Sequence, residues 1–159
     1  MSKIVLLSIL PEWADAILDG KKKWEFRRIA PRIDLGDRVI LYASNKFSRI
    51  VGEFFVGEII HDSIEPLIRR TLKDTPHKKE DLYSYFKGKE KGYAIEVKDP
   101  TRYNEPISLH TIKKWHPSFV PPQSFQYLRI NDSRTRYIVE ALPERTSCYG
   151  QRNLTNFPM

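Results

Sequence analysis

The spacing Gly20-x-Lys22-x-x-Glu25-x-Arg27 carries the sharpest chemical signal in the chain. A glycine there ends a helical pattern, a lysine projects from the turn, and a strand follows. On that strand Glu25 and Arg27 share the face opposite Trp24 and Phe26, close enough for their long side chains to interact. A glutamate between two cations holds Arg27 in one rotamer and leaves its outer donors free. Arginine offers a planar fork for a phosphate or a base edge, and lysine adds a mobile point charge. Lys21, Lys23 and Arg28 make the segment locally basic. The same spacing also describes an exposed strand whose Glu25–Arg27 pair contributes little.

Other candidates are more diffuse. Tyr42, Ser44, Asn45 and Lys46 lie at a strand end, where hydroxyl and amide groups can line a cleft. Asn45 suits a base edge and a turn equally well. Trp24 and Phe26 can stack on bases, but alternating strand positions favour a core role. Trp115, Phe119, Phe125 and Tyr127, near Lys113 and Lys114, suit either single-stranded nucleic acid or helix packing. His61 and His110 are conceivable acid–base groups, although nothing in the sequence brings them together.

Several chemistries are excluded by absent spacing. The four histidines and the single Cys148 form no zinc pattern, so neither a metal nor a cofactor is expected. No G-x-G-x-x-G, G-x-x-x-x-G-K-[ST] or G-x-S-x-G occurs. Asn153-Leu154-Thr155 matches a glycosylation sequon but lacks a secretory context.

The elements that must position the motif follow from periodicity. Lys3 to Leu10 reads as a buried strand, and Pro11 opens a helix carrying Trp13, Ala14, Ile17 and Leu18. Lys21–Arg28, Arg38–Ala43 and Ser48–Ile60 read as strands, the last bent at Gly52 and Gly57. Helices are expected at Ile64–Leu72 and Glu80–Phe86, and strands at Tyr93–Val97 and Ile107–Leu109. From there the chain reads as helical or irregular, at Thr111–Trp115, Gln123–Leu128 and Arg134–Leu142. The class is α+β with a mostly antiparallel, barrel-like sheet. Residues 1–142 form one domain, and 143–159 a loosely ordered tail.

Among 159 residues, 27 are Lys or Arg and 20 Asp or Glu, a net charge of +7. Residues 100–159 hold eight of the basic and four of the acidic groups. Such an excess suits a polyanionic partner, and equally an ordinary solvated surface. No apolar run approaches the roughly 18–20 residues of a membrane span. One cysteine and no export signal point to the cytoplasm, with no membrane partner.

The helix-to-strand segment with Gly20, Lys22, Glu25 and Arg27 resembles the G-x-K-x-x-E-x-R motif of ASCH (activating signal cointegrator homology) domains of the PUA-like superfamily. Gly36-Asp37-Arg38-Val39, Tyr42-Ala43-Ser44, Ile50-Val51-Gly52-Glu53-Phe54 and Gly92-Tyr93-Ala94-Ile95 agree in order. The resemblance covers roughly residues 2–110, with Pro121 to Phe125 similar to an extension of some relatives. It implies a PUA-like β-barrel flanked by helices, extended here by C-terminal helices, with a cleft beside the motif for RNA or a nucleotide-like ligand. One branch of the family hydrolyses the amide of acetylated cytidine with a lysine, a threonine and a glutamate. Lys22 takes the place of that lysine, and Glu25 stands where the threonine would be. Some relatives are ribonucleases.

The expected function is therefore a nucleic-acid-binding module, most simply for RNA. Lys21, Lys22, Glu25 and Arg27 form its site, joined by Tyr42, Ser44, Asn45 and Lys46. The alternative is an enzyme, an amidohydrolase on a modified pyrimidine nucleoside or a ribonuclease, with Lys22 and Glu25 as its reactive groups. Catalysis ranks second because Lys21 and Lys23 lower the pKa of Lys22 while Glu25 raises it again.

Overall fold

Near-continuous apolar runs along β1 (Ile4–Ile9), β3 (Arg38–Ala43) and the first half of β4 (Arg49–Ser63) bury both faces of each strand, so the sheet is covered on both sides. The computed structural model describes residues 2–145; residues 146–159, with Cys148, the sequon and most of the expected tail, lie outside the described residues. The remaining elements are α1 (Pro11–Leu18), β2 (Trp24–Arg27), α2 (Ile64–Thr71), α3 (Lys79–Tyr85), β5 (Lys91–Ser108), α4 (Leu109–Trp115), β6 (Phe125–Leu128) and α5 (Arg136–Ala141). A 3-10 turn, Leu72–Asp74, follows α2.

The sheet is six-stranded and mixed, in the order β2-β5-β4-β3-β1-β6. β1 runs parallel to β3, and every other pairing is antiparallel. On one face Val5, Leu7, Val39, Leu41, Phe54 and Val56 pack with Ala14 and Ile17 of α1. On the other, Leu6, Ile40, Tyr42 and Ile50 pack with Ile112 of α4 and Ile138 of α5. Trp24 and Phe26 join Leu67, Ile68, Leu82 and Phe86 in a third core beneath α2 and α3. α1 lies tight on β4, since a Cβ at Gly52 would stand 2.8 Å from Leu18 Cδ2 and 2.5 Å from the Thr101 carbonyl oxygen.

The ladder does not close into the expected barrel; β2 and β6 remain its edges. A side chain spans the seam instead. Arg27 Nη2, from edge strand β2, donates to the Ser8 carbonyl of β1 at 2.9 Å, and Nη1 donates to Ser124 Oγ, just before β6, at 3.5 Å. Two further expectations are corrected. Gln123–Leu128 is not helical: Phe125–Leu128 pairs with β1, whose unpaired edge decides the conformation of so short an apolar run. Tyr93–Val97 and Ile107–Ser108 are parts of one strand, β5, paired with β4 along its length, and Leu109, expected in the second strand, opens α4 instead. Pro100 in its polar middle falls where the register shifts opposite Glu53 and Phe55.

Across the sheet from the motif lies a second ionic cluster. Glu53, fully buried, accepts from Arg38 Nε at 2.9 Å, Arg38 Nη2 at 2.6 Å and Tyr103 Oη at 2.7 Å. Arg38 Nη2 also donates to the Pro143 carbonyl, and Arg145 lies 3.7 Å from Glu53. The first residues of the expected tail are thereby tied to the core.

Candidate functional site

The site begins with the way α1 ends. Gly20 adopts φ +81°, a left-handed conformation that costs a glycine little, and the amides of Lys21 and Lys22 both donate to the Ala16 carbonyl. This turn leaves Lys21 exposed and sends Lys22 inward, where it is 3% exposed. Lys22 Nζ stands 2.6 Å from His77 Nε2 and 3.4 Å from Glu25 Oε1. It also lies 5.5 Å and 5.0 Å from the ring centroids of Trp13 and Phe26, in cation–π range. The other Glu25 oxygen accepts from Arg27 Nε at 3.1 Å and lies 3.0 Å from Nη2.

Glu25 therefore orients Arg27, as the spacing suggested. The outer donors of Arg27 are not free, however: Nη2 is occupied by Ser8, and Nη1 has Ser124 as its partner among the described residues. The cause is the open seam, which puts backbone carbonyls within reach of the guanidinium.

These side chains floor a cleft of about 340 Å³. Leu10, Trp13, Phe26 and Tyr85 contribute its apolar walls, and Asp81 adds a carboxylate. His77 reaches the floor from the segment before α3, which is fastened to β2 by the Lys23 amide donating to the Asp74 carbonyl at 2.9 Å. Its ring packs 4.2 Å from Trp13 and 5.6 Å from Phe26.

Burial is the main cause that holds the Lys22 pKa below its usual value; Glu25 opposes it and Arg27 adds to it. Lys21 and Lys23 are exposed and are not what lowers it, which corrects the expected cause. Burial, and then the charge of Lys22, pulls His77 down to about 4. His77 is thus neutral at pH 7. A charged Lys22 donates to its Nε2 and places the ring proton on Nδ1. The arrangement can present a cation to a phosphate or an acceptor atom, or pass a proton between Lys22 and His77.

Lys22, Glu25 and Arg27 come together in this cleft; Tyr42, Ser44, Asn45 and Lys46 do not line it. Tyr42 is buried among Leu6, Ile40 and Ile50 on the α4 side of the sheet. Ser44 Oγ donates to the Ile9 carbonyl at 3.1 Å. Asn45, at φ +63°, and Lys46 form an exposed turn. His61 of β4 and His110 of α4 lie toward opposite ends of the β4–β5 pair, since His61 pairs with Tyr93 while Arg49 pairs with Ser108, two residues before His110. Sequence reading missed His77. It stands alone in a polar, Pro-containing stretch, and no spacing links it to Lys22.

Among the described residues no three His, Cys, Asp or Glu side chains are grouped to hold a metal ion, and no helix is long and apolar enough to cross a membrane.

An α+β sheet with this motif beside its seam, and a cleft next to it, fits a PUA-like scaffold. Residues 7–106 match the ASCH domain family, and the chain belongs to it. An ASCH domain-containing ribonuclease of Zymomonas mobilis is 32% identical over 134 residues, 83% of this chain and 88% of that protein. The crystal structure of an ASCH protein from the same organism superposes with a TM-score of 0.78 at 30% identity, covering 89% of this chain and 97% of that one. The human THYN1 protein, crystallised with DNA containing 5-methylcytosine, shares the fold at a TM-score of 0.56 and 16% identity, over 90% of this chain and all of that one.

Proposed function

We propose that this chain is an RNA-binding ASCH module that draws one nucleotide of a single strand into the Lys22–Glu25–Arg27 cleft. The observation that carries this reading is the burial of Lys22 and Glu25, with Arg27 partly enclosed beside them, at the floor of an aromatic-walled hollow. Burying such groups costs several kcal/mol, on the order of 3–5 if a partner is lost, and no packing need explains placing them at an opening. Trp13, Phe26 and Tyr85 offer faces and edges to a base, while Lys22 and Arg27 favour an anionic or carbonyl-rich ligand. The ribonuclease relative supports RNA as the polymer, and the net charge of +7 suits it.

Titration of a labelled single-stranded RNA at several salt concentrations tests this reading. Affinity falls with a slope of about −0.7 per phosphate contact in a plot of log K against log salt. Lys22→Met, which keeps the stem and removes the charge, weakens binding. Absence of binding at low salt overturns the reading.

Catalysis in the same cleft is the second reading, favoured by the 2.6 Å contact between Lys22 and a neutral His77. A lysine with a lowered pKa next to a proton acceptor has the elements of a general acid–base pair. Strand scission of RNA and acetate release from acetylated cytidine are its two assays. Loss of either activity in both Lys22→Met and His77→Gln supports it, and no turnover on either substrate removes it.

A further inference from the structure

The face of the sheet beyond the cleft carries an aromatic pair that the cleft does not use. His61 and Tyr93 stack with ring centroids 4.1 Å apart and planes 7° from parallel. His61 is exposed, so one imidazole face is open to solvent. The pair lines a hollow of about 420 Å³ whose rim includes Arg28, Lys89 and Lys91. Among the described residues neither Lys89 nor Lys91 has an ion-pair partner. Glu90 is the one acidic residue lining the hollow.

This hollow is a neighbour of the cleft by construction. Arg27 pairs with Tyr93 across β2 and β5, and Tyr93 pairs with His61 across β5 and β4. Three side chains in one row of a sheet share a face, and two strand spacings separate β2 from β4 by about 10 Å. Arg27 lines the cleft and Arg28 the hollow. The wall between them is pinned, because Arg28 Nη1 donates to the carbonyls of Tyr85 and Lys87, each at 2.8 Å.

We infer that the His61–Tyr93 stack with Lys89 and Lys91 is a second nucleotide subsite, which receives the residue adjacent to the one held in the cleft. The base of that nucleotide stacks on the open face of His61, already backed by Tyr93, and its phosphate lies between the two lysines. An exposed aromatic platform flanked by unpaired cations is the arrangement that binds single strands without reading their sequence. A cross-strand pair serving stability alone needs no cations around it. The inference rests on the RNA-binding reading of the cleft and extends it along the strand.

The test compares wild type, His61→Ala, Lys89→Glu/Lys91→Glu and Lys22→Met, each checked by thermal melting. The probes are nucleoside monophosphates and a short mixed-sequence single-stranded RNA. His61→Ala lowers affinity for the RNA about tenfold, as expected when one base no longer stacks, and leaves monophosphate binding unchanged. The double lysine variant reduces the salt slope by about 0.7 for each phosphate it no longer neutralises, a readout that a structural role does not move. Equal RNA affinity in wild type and His61→Ala overturns the subsite and leaves the cleft reading intact. RNA binding abolished in His61→Ala but retained in Lys22→Met overturns the cleft reading and keeps the platform. If wild type binds no RNA, both fall.

Discussion

Two Arg–Glu clusters lie in one molecule, and their surroundings give them different work. Around Glu53, the carboxylate is fully enclosed and saturated by Arg38 and Tyr103, and Arg38 is in turn tied to the Pro143 carbonyl. Around Glu25, the carboxylate is nearly as buried, yet its cations border a hollow and contact an imidazole. Burial alone therefore does not mark a binding site. What separates the two is that Lys22, Glu25 and Arg27 themselves line their cleft and meet a neutral imidazole, whereas the hollow of about 710 Å³ beside the other cluster is lined by Tyr103 and Arg145 but by neither Glu53 nor Arg38.

The comparison breaks most visibly at Glu53. Glu53→Ala leaves Arg38 buried without its partner and lowers stability by about 3–5 kcal/mol, measured by chemical denaturation. Ligand affinity of the folded fraction stays as in wild type, and a loss of affinity with unchanged stability would exchange the roles assigned to the two clusters.

Arg27→Lys, the matching change at the cleft, keeps the charge but loses the planar fork. RNA affinity falls in the salt titration, because the guanidinium that fixes Glu25 beside Lys22 at the cleft floor is lost. Here the melting temperature also drops, because the Ser8 carbonyl and Ser124 lose a donor that spans the seam. Unchanged affinity together with a lower melting temperature would make Arg27 a fastening of the seam and nothing more.

His77 sharpens the contrast through pH. The folded protein protonates His77 near 4, and the unfolded chain near 6.5. Between these values the unfolded state binds more protons, so stability rises with pH and is lost as pH falls from about 6.5 to about 4. The half-buried ring limits this contribution to about 1–2 kcal/mol. His77→Gln removes that part of the pH dependence, and superimposable wild-type and variant curves between pH 4 and 7 would contradict the burial of a neutral ring.

The smallest effect belongs to an exposed pair, Glu65 and Arg69, 3.3 Å apart on one face of α2. Glu65→Ala changes stability by about 0.5 kcal/mol or less, which sets the baseline for an ion pair in water.

Much of this architecture was legible because it is local. β3 matched its expected limits, α1 opened on Pro11, and the helices at Ile64 and Lys79 were close to their periodic signals. The irregular registers of β4 occur beside Gly52 and Gly57. What stayed hidden depends on distant partners. Phe125–Leu128 became a strand because β1 had an edge to offer, and the polar run after Val97 became part of β5 because β4 lay alongside. Within the site, Lys22, Glu25 and Arg27 were legible from spacing on one turn and one strand. His77 was not, since only the docking of the segment before α3 against β2 carries it to Lys22.

The pairing of β1 with β6 also orders events during synthesis. Ile4 faces Leu128 and Leu7 faces Phe125, so β1 leaves the ribosome long before its outer neighbour exists. Until then the nascent chain carries an unpaired apolar strand edge, the kind of surface that invites pairing with other chains. Truncation before Phe125 would fix the chain permanently in that condition. Such long-range pairing slows folding, and the final assembly of the sheet waits for the last third of the sequence.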